Sequence, residues 1–329
     1  MRAALLRGYA APPVLAEHPR PSPPAGGALV QVRAAPIVPL DRLCASGTSY
    51  FGEPPLPYVP GVQGVGVIAE SDAYAVGTRV WFATSAGMAP GDGSLAEWCA
   101  VPAADLVPIS AEVPDAAVAA IGTSGIAAWM ALTWRAGLAS GERVLVLGAN
   151  GAVGQVALAV ARELGAARVV GVCRSESAAA RARAAGADGV VVLDPAEQRT
   201  GLAGRLVEAA GGPVDVVLDP VFGEPAAAAA LALGPGGRLV NLGGTAHDVA
   251  EFSSAALRGR SLSILGYTNN AISAEQRAEA LTSVLQLAAR GVVSVDHRVL
   301  PLADCDQAWE LAGTTGPRVV VAVGGGDLH

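Results

Sequence analysis

Hydrophobic and polar positions fall along this chain in two textures. From about residue 116 onward, short apolar runs alternate with helical patterns: RVLVLG (143–148), RVVGVC (168–173), GVVVLD (189–194), VDVVLDP (214–220), GRLVNLG (237–243) and SLSILGY (261–267). Each run is nearly continuous in apolar residues, as expected of a strand whose two faces are both covered. Such strands separated by helices predict an α/β fold with a doubly wound parallel sheet of six strands. Residues 1 to about 115 read differently. There, runs such as ALVQVRAA (28–35) and GVGVIAE (64–70) are broken by Pro and Gly clusters at 19–27, 52–61 and 87–93, a turn density that predicts an irregular β domain. Past 271, AEQRAEALTSVLQLAARG carries Ala278, Leu281, Leu285 and Ala288 at helical spacing as far as Gly291, and PRVVVAV then returns to strand-like texture. The expected organisation is a dinucleotide-binding domain at 116–271 inserted into a β-rich catalytic domain made of 1–115 and 272–329.

The first of the six runs leads straight into GANGAVG (148–154) and then into an alanine-rich helix pattern. Gly148, Gly151 and Gly154 allow a tight turn whose backbone N–H groups can approach a pyrophosphate at the positive end of the helix dipole. Asn150, Gly151, Ala152, Val153 and Gly154 are therefore candidate cofactor-binding residues. A turn that binds nothing, or a site for FAD or S-adenosylmethionine, is the alternative reading of the same pattern. The end of the second run discriminates between dinucleotides. Where an NAD site presents Asp or Glu to the ribose 2′-hydroxyl, this chain has Cys173, Arg174 and Ser175. A guanidinium binds a 2′-phosphate through charge-assisted hydrogen bonds and a serine hydroxyl adds another, so NADPH is the expected cofactor. A solvated Arg174, or one paired with Glu176, is the competing reading.

Charge and composition remove other classes. The net charge is −7 with no run of like charge, which leaves no stripe for a nucleic-acid backbone. All 22 basic residues are Arg, so Schiff-base and P-loop lysine chemistry are absent. Cys44, Cys99, Cys173 and Cys305 are scattered without metal-ligand spacing and read as small buried hydrophobes. No apolar run approaches the roughly 20 residues that cross a bilayer, and the N-terminus lacks the pattern of a signal peptide, so a cytoplasmic protein with no membrane partner is expected.

Over essentially its full length the chain resembles the medium-chain dehydrogenase/reductase superfamily. AAPIVPLDRLCASG (34–47), PLPYVPGVQGVGVI (55–68), GSLAEWCAVPAADLVPI (93–109), LGANGAVG (147–154), ARARAAGAD (180–188) and VDVVLDPVFGE (214–224) are similar to its zinc-independent quinone oxidoreductase branch. The resemblance implies a Rossmann domain beside a GroES-like catalytic domain. Alcohol dehydrogenases of the superfamily place a Cys where this chain has Val38 and a His–Glu pair at Val62 and Gln63, so no metal site is expected. Without a Lewis acid, hydride donation to an acceptor that already delocalises charge remains feasible. Branch members often carry Asn in the stretch Val38–Asp41, Tyr at Leu43, Thr at Ala127 and Lys at Ala178. Their loss leaves the proton donor unassigned.

Ligands of open α/β sheets bind beyond the carboxyl ends of the strands, which selects Asp219–Val221, Asn241–Thr245 and Gly266–Asn269. The resemblance places Asn241, Leu242, Gly243, Gly244, Tyr267 and Thr268 along the ribose and nicotinamide. Thr123 and Ser124 either reach the carboxamide or cap a helix. Tyr50 and Asp41 are the candidate acids, against local packing for the first and helix capping for the second; a bound water is the other proton source. His18, His247, His297 and His329 have no paired acid or nucleophile in sequence, and only His247 falls on a strand-end loop. Trp81, Phe82, Trp98 and Trp129 line an acceptor pocket or belong to the core. The expected activity is NADPH-dependent transfer of hydride to a quinone or an α,β-unsaturated carbonyl. The alternatives are a biosynthetic enoyl reductase for one specific substrate and a catalytically silent NADPH-binding protein. The apolar edge strand SLSILGY predicts a homodimer, as does the resemblance.

Overall fold

The computed structural model describes residues 1–245 and 247–324; His329 lies outside them. Two compact units are present, Thr123–Ser294 and Met1–Gly122 with the segment from Val295 onward.

The first unit is built on strands β1 (Arg143–Leu147), β2 (Arg168–Cys173), β3 (Gly189–Val192), β4 (Val214–Asp219), β5 (Leu233–Asn241) and β6 (Ser263–Gly266). All pair in parallel, in the order β3-β2-β1-β4-β5-β6, so the winding reverses between β1 and β4. That reversal opens a crevice at the carboxyl ends of the two strands, the place where such sheets take ligands. Helices α1 (Ala152–Glu163), α2 (Glu176–Ala184), α3 (Arg199–Ala210), α4 (Glu224–Ala232), α5 (Ser254–Arg260) and α6 (Ala274–Ala289) complete the unit. Leu145, Val170, Val217 and Leu239 of the strands pack with Leu202 and Leu206 of α3 and Ala226 and Ala229 of α4. Because six of the nine residues of α4 are alanine, it can lie close to the sheet, and those six are buried.

Three sequence expectations shift here. β6 begins at Ser263 rather than 261, because Ser261 is left-handed (φ 53°) and closes α5. β5 starts earlier, at Leu233, with a register irregularity against β4 between Val214 and Val216. Helix α6 clusters with the nucleotide unit and not with the β-rich return; Ser273 and Gln276 form a capping box at its start.

The second unit holds a seven-stranded sheet in which His297–Pro301, Arg318–Ala322, Ala28–Pro36, Gln63–Ser71, Arg79–Ala83 and Leu106–Pro108 follow one another, with Trp98–Val101 also on Ala28–Pro36. A hairpin of Arg2–Leu5 with Val14–Glu17 packs on the same core. The expected irregular, β-rich domain is thus present, and the strand Arg318–Ala322 joins the sheet of the first hundred residues. One expectation is corrected: Asp115–Arg135 is long and apolar enough to cross a membrane, although 72% of its most apolar window is buried inside the protein. Alanine-rich core helices share that composition, which is why hydropathy alone does not separate the two.

Candidate functional site

The glycine turn has the form its spacing predicts. Gly148 adopts φ 59°, and a Cβ on Gly154 would lie 2.5 Å from the Gly148 carbonyl and 2.6 Å from Ala149 Cα, so only glycine lets α1 pack this closely on β1. Gly151 is different. It precedes α1 as its cap, makes no side-chain capping bond, and a Cβ there would meet nothing closer than the Gly148 carbonyl at 3.4 Å. The positive end of α1 therefore faces open space above a turn without a side chain, an arrangement that accepts an anion. Gln155, which the sequence reading passed over, is buried and donates from Nε2 to the Asn150 carbonyl at 2.9 Å, fixing the turn.

At the end of β2, Cys173 is buried and Arg174 is exposed. Ser175 caps α2, its hydroxyl accepting from Ala178 N at 3.3 Å and meeting Ser177 at 3.0 Å. Glu176 approaches Arg183 at 4.0 Å and not Arg174. Two carboxylates on the chain that follows are engaged elsewhere: Glu176 as above, and Glu197 by Arg205.

Beyond β4, the buried Asp219 carboxylate accepts from Val221 N (2.9 Å) and Phe222 N (2.8 Å) and holds a turn in which Phe222 is left-handed at φ 61°. A non-glycine residue in that region is strained, and Asp219 is what restrains it. Burial pushes the Asp219 carboxyl up from its usual value, against these hydrogen bonds. Asn241 at the end of β5 donates to the Asp219 carbonyl and carboxylate (both 3.2 Å) and to the Gly243 carbonyl (2.9 Å), so its amide N–H groups are committed to the scaffold. After β6, Tyr267 donates to Asn269 (2.7 Å), and Asn269 donates to the Thr123 carbonyl (3.1 Å). Sequence reading named Tyr267 and Thr123 but gave Asn269, the residue that ties them together, no role of its own. Thr268 accepts from Asn270 N at 3.3 Å. Burial pushes the Tyr267 hydroxyl well above its ordinary range, so it stays protonated.

In the β-rich unit, Asp41 is 1% exposed. Its carboxylate accepts from Val38 N (2.7 Å) and Val62 N (2.8 Å), joining the backbone of two separate segments. Burial raises its pKa from 3.8 to about 6, and the nearby Arg318, itself lowered by burial to about 10, opposes that rise. As an acid for substrate, Asp41 is therefore misplaced: it caps and braces. Tyr50 is 78% exposed and lies over Phe51 with centroids 4.2 Å apart. Val38 and Val62 are buried, and Trp81 donates to Gln63 at 2.8 Å. Gly122, where the long helix departs from helical geometry, leaves no room for a Cβ against the Gln63 side chain. Among the described residues no group of three or more His, Cys, Asp or Glu could hold a metal ion, so the donor set does not fit zinc.

Trp81 and Phe82 are core. Trp98 is half-buried under Arg20, 4.0 Å from the ring centroid. His18 has an acid partner remote in sequence, Asp92 at 2.8 Å, while His247 lies against Gly223, where a Cβ would meet its ring at 2.7 Å.

Residues 24–111 match the alcohol dehydrogenase GroES-like domain and residues 152–288 match the zinc-binding dehydrogenase family. A zinc-type alcohol dehydrogenase-like protein of Schizosaccharomyces pombe is 31% identical over 236 residues, 71% of this chain and 67% of that one. A probable NADPH-dependent quinone reductase of Emericella nidulans is 28% identical over 98% of this chain and 99% of its own. The quinone oxidoreductase from Thermus thermophilus, whose structures include a complex with NADPH, superposes with a TM-score of 0.81 at 27% identity, covering 98% of this chain and 100% of that one.

Proposed function

The chain belongs to the medium-chain dehydrogenase/reductase superfamily and is a quinone oxidoreductase-like oxidoreductase, and from that premise we propose that it uses NADPH, without zinc, to reduce a quinone or an α,β-unsaturated carbonyl. The observation that carries this reading is the cradle at the carboxyl ends of β1 and β2: an α1 N-terminus with no side-chain cap above Gly151, and Arg174 where a carboxylate would repel a 2′-phosphate.

Asn150, Gly151, Ala152, Val153 and Gly154 hold the pyrophosphate on backbone N–H groups. Arg174 and the Ser175 hydroxyl face the 2′-phosphate, the latter while still capping α2. Thr123, Leu242, Gly243, Gly244, Tyr267 and Thr268 line the ribose and nicotinamide, and Asn241 contributes by fixing this wall. When bound, NADPH supplies the hydride from C4 of its nicotinamide. The protein's part is to orient it and to keep water out, which can account for much of the rate of a reaction needing no strong acid. Asp41 is sealed in the fold and takes no proton step, and Tyr50 stands largely in solvent, so water supplies the proton that completes the reduction of the acceptor. The exposed edge of β6 pairs with a second copy, giving a homodimer.

Steady-state NADPH oxidation against a panel of quinones and enones, run beside a binding titration, tests the reading. Turnover with several conjugated acceptors supports it. Turnover with a single enone points to a dedicated enoyl reductase, and tight binding without any turnover points to a silent binding protein.

A further inference from the structure

Arg181 is the least explained charge in the nucleotide unit. It sits in the second turn of α2, half-buried, with an Nε that is sealed from solvent and has no hydrogen-bond partner. No ion pair is formed by its guanidinium among the described residues, since Glu176 turns to Arg183, Asp188 to Arg162 and Glu197 to Arg205. Long side chains on a helix lean toward its N-terminus, here toward the β2–α2 turn that carries Arg174. The helix is close enough for this to matter: Ala182 Cβ lies 3.3 Å from where a Cβ on Gly171 of β2 would be. The positive charges of Arg181 and Arg183 also reach Cys173, the last residue of β2, where they favour the thiolate against burial and against Glu176; of the two, Arg183 is already beside Glu176. In this fold that strand end receives the adenosine ribose.

Among the described residues, Arg174 and Arg181 thus form no ion pair; Arg174 directly follows the strand end that the charge of Arg181 reaches, and Arg181 has a buried polar atom left unsatisfied. A buried donor of this kind is costly unless a ligand or water completes it. A phosphate dianion supplies both the charge and the acceptor oxygens, and a guanidinium fork matches it geometrically.

We propose that Arg181 is a second guanidinium for the adenosine 2′-phosphate, closing on that group opposite Arg174, and is therefore a specificity-determining residue for NADPH over NADH. The assignment rests on the nicotinamide-cofactor reading above.

Calorimetric titration of NADPH, NADH, 2′,5′-ADP and 5′-AMP into wild type, Arg181→Gln, Arg181→Lys and the Arg174→Ala/Arg181→Gln double variant tests it without any turnover. Arg181→Gln weakens NADPH and 2′,5′-ADP by roughly tenfold or more, while NADH and 5′-AMP change by less than about twofold. Arg181→Lys recovers part of the loss, and the double variant loses more than either change alone. Equal weakening of NADPH and NADH would mean that Arg181 merely supports the fold, and no weakening would mean that its head is solvated; either result overturns the proposal. Should Arg181→Gln fail to fold, the lysine variant decides by the same NADPH/NADH comparison. Wild-type protein that binds neither dinucleotide removes the cofactor reading along with this one, whereas wild type that binds both equally leaves a nicotinamide cofactor standing and overturns the 2′-phosphate roles of Arg174 and Arg181 together.

Discussion

Asp41 carries the sharpest expectation at the scale of single residues. Its carboxyl is raised from 3.8 to about 6, chiefly by burial, so the folded chain binds this proton more tightly than the unfolded chain does. A raised carboxyl contributes most to stability below about pH 4 and loses that contribution as pH climbs to about 6, roughly 3 kcal/mol for a shift of about two units. Asn at 41 does not titrate, so urea unfolding of Asp41→Asn should lack this fall between about pH 4 and about pH 6, although the variant is less stable than wild type because one of the Val38 and Val62 N–H groups loses its acceptor. A wild type and variant that change in parallel over that window would show that Arg318 and the backbone donors cancel the cost of burial. Sequence reading placed Asp41 as a helix cap as readily as an acid, but the second N–H bond, from Val62 beside another strand, had no local signal. Asn269 is missed for the same reason: its acceptor at Thr123 is set by how the elements meet, not by spacing along the chain.

At the scale of elements, β6 is the exposed edge of the six-stranded sheet, with Ser263, Ile264 and Gly266 open to solvent. An unpaired edge of this kind invites a partner strand, and the same strand from a second copy would close the assembly about a two-fold axis. Proline at 263 removes a backbone donor from the edge, so Ser263→Pro should shift the protein from dimer to monomer in light scattering while NADPH binding persists. A monomeric wild type at micromolar concentration would contradict the dimer. The six strands were legible because they are buried on both faces and therefore nearly continuous in apolar residues. Their ends were less so. Ser261 reads as part of a strand, yet tertiary context makes it the left-handed close of α5, and Leu262 then turns inward onto the core. The glycine turn was legible in full, since close packing at Gly154 and the bare cap at Gly151 each leave a residue type as their trace.

At the scale of the molecule, the chain keeps its superfamily's two folds while its described residues do not provide the donors of a zinc centre. Val38 and Val62 are buried apolar residues, and the nearest carboxylate, Asp41, is occupied by their backbone N–H groups. Elemental analysis of protein purified without added metal should accordingly find far less than one zinc per chain; near-stoichiometric zinc would contradict the donor argument. What the molecule retains is a glycine turn beneath the start of α1 and an exposed Arg174 just past the end of β2. The decisive quantity is the steady-state rate of NADPH oxidation by the purified metal-free protein with a quinone and with an α,β-unsaturated ketone, NADH being run in parallel. Turnover of at least one conjugated acceptor is expected, faster at limiting NADPH than at the same concentration of NADH. A protein that binds NADPH yet oxidises it no faster than buffer with either acceptor would show that the cradle and its arginines serve binding alone, and that hydride transfer is not what this chain does.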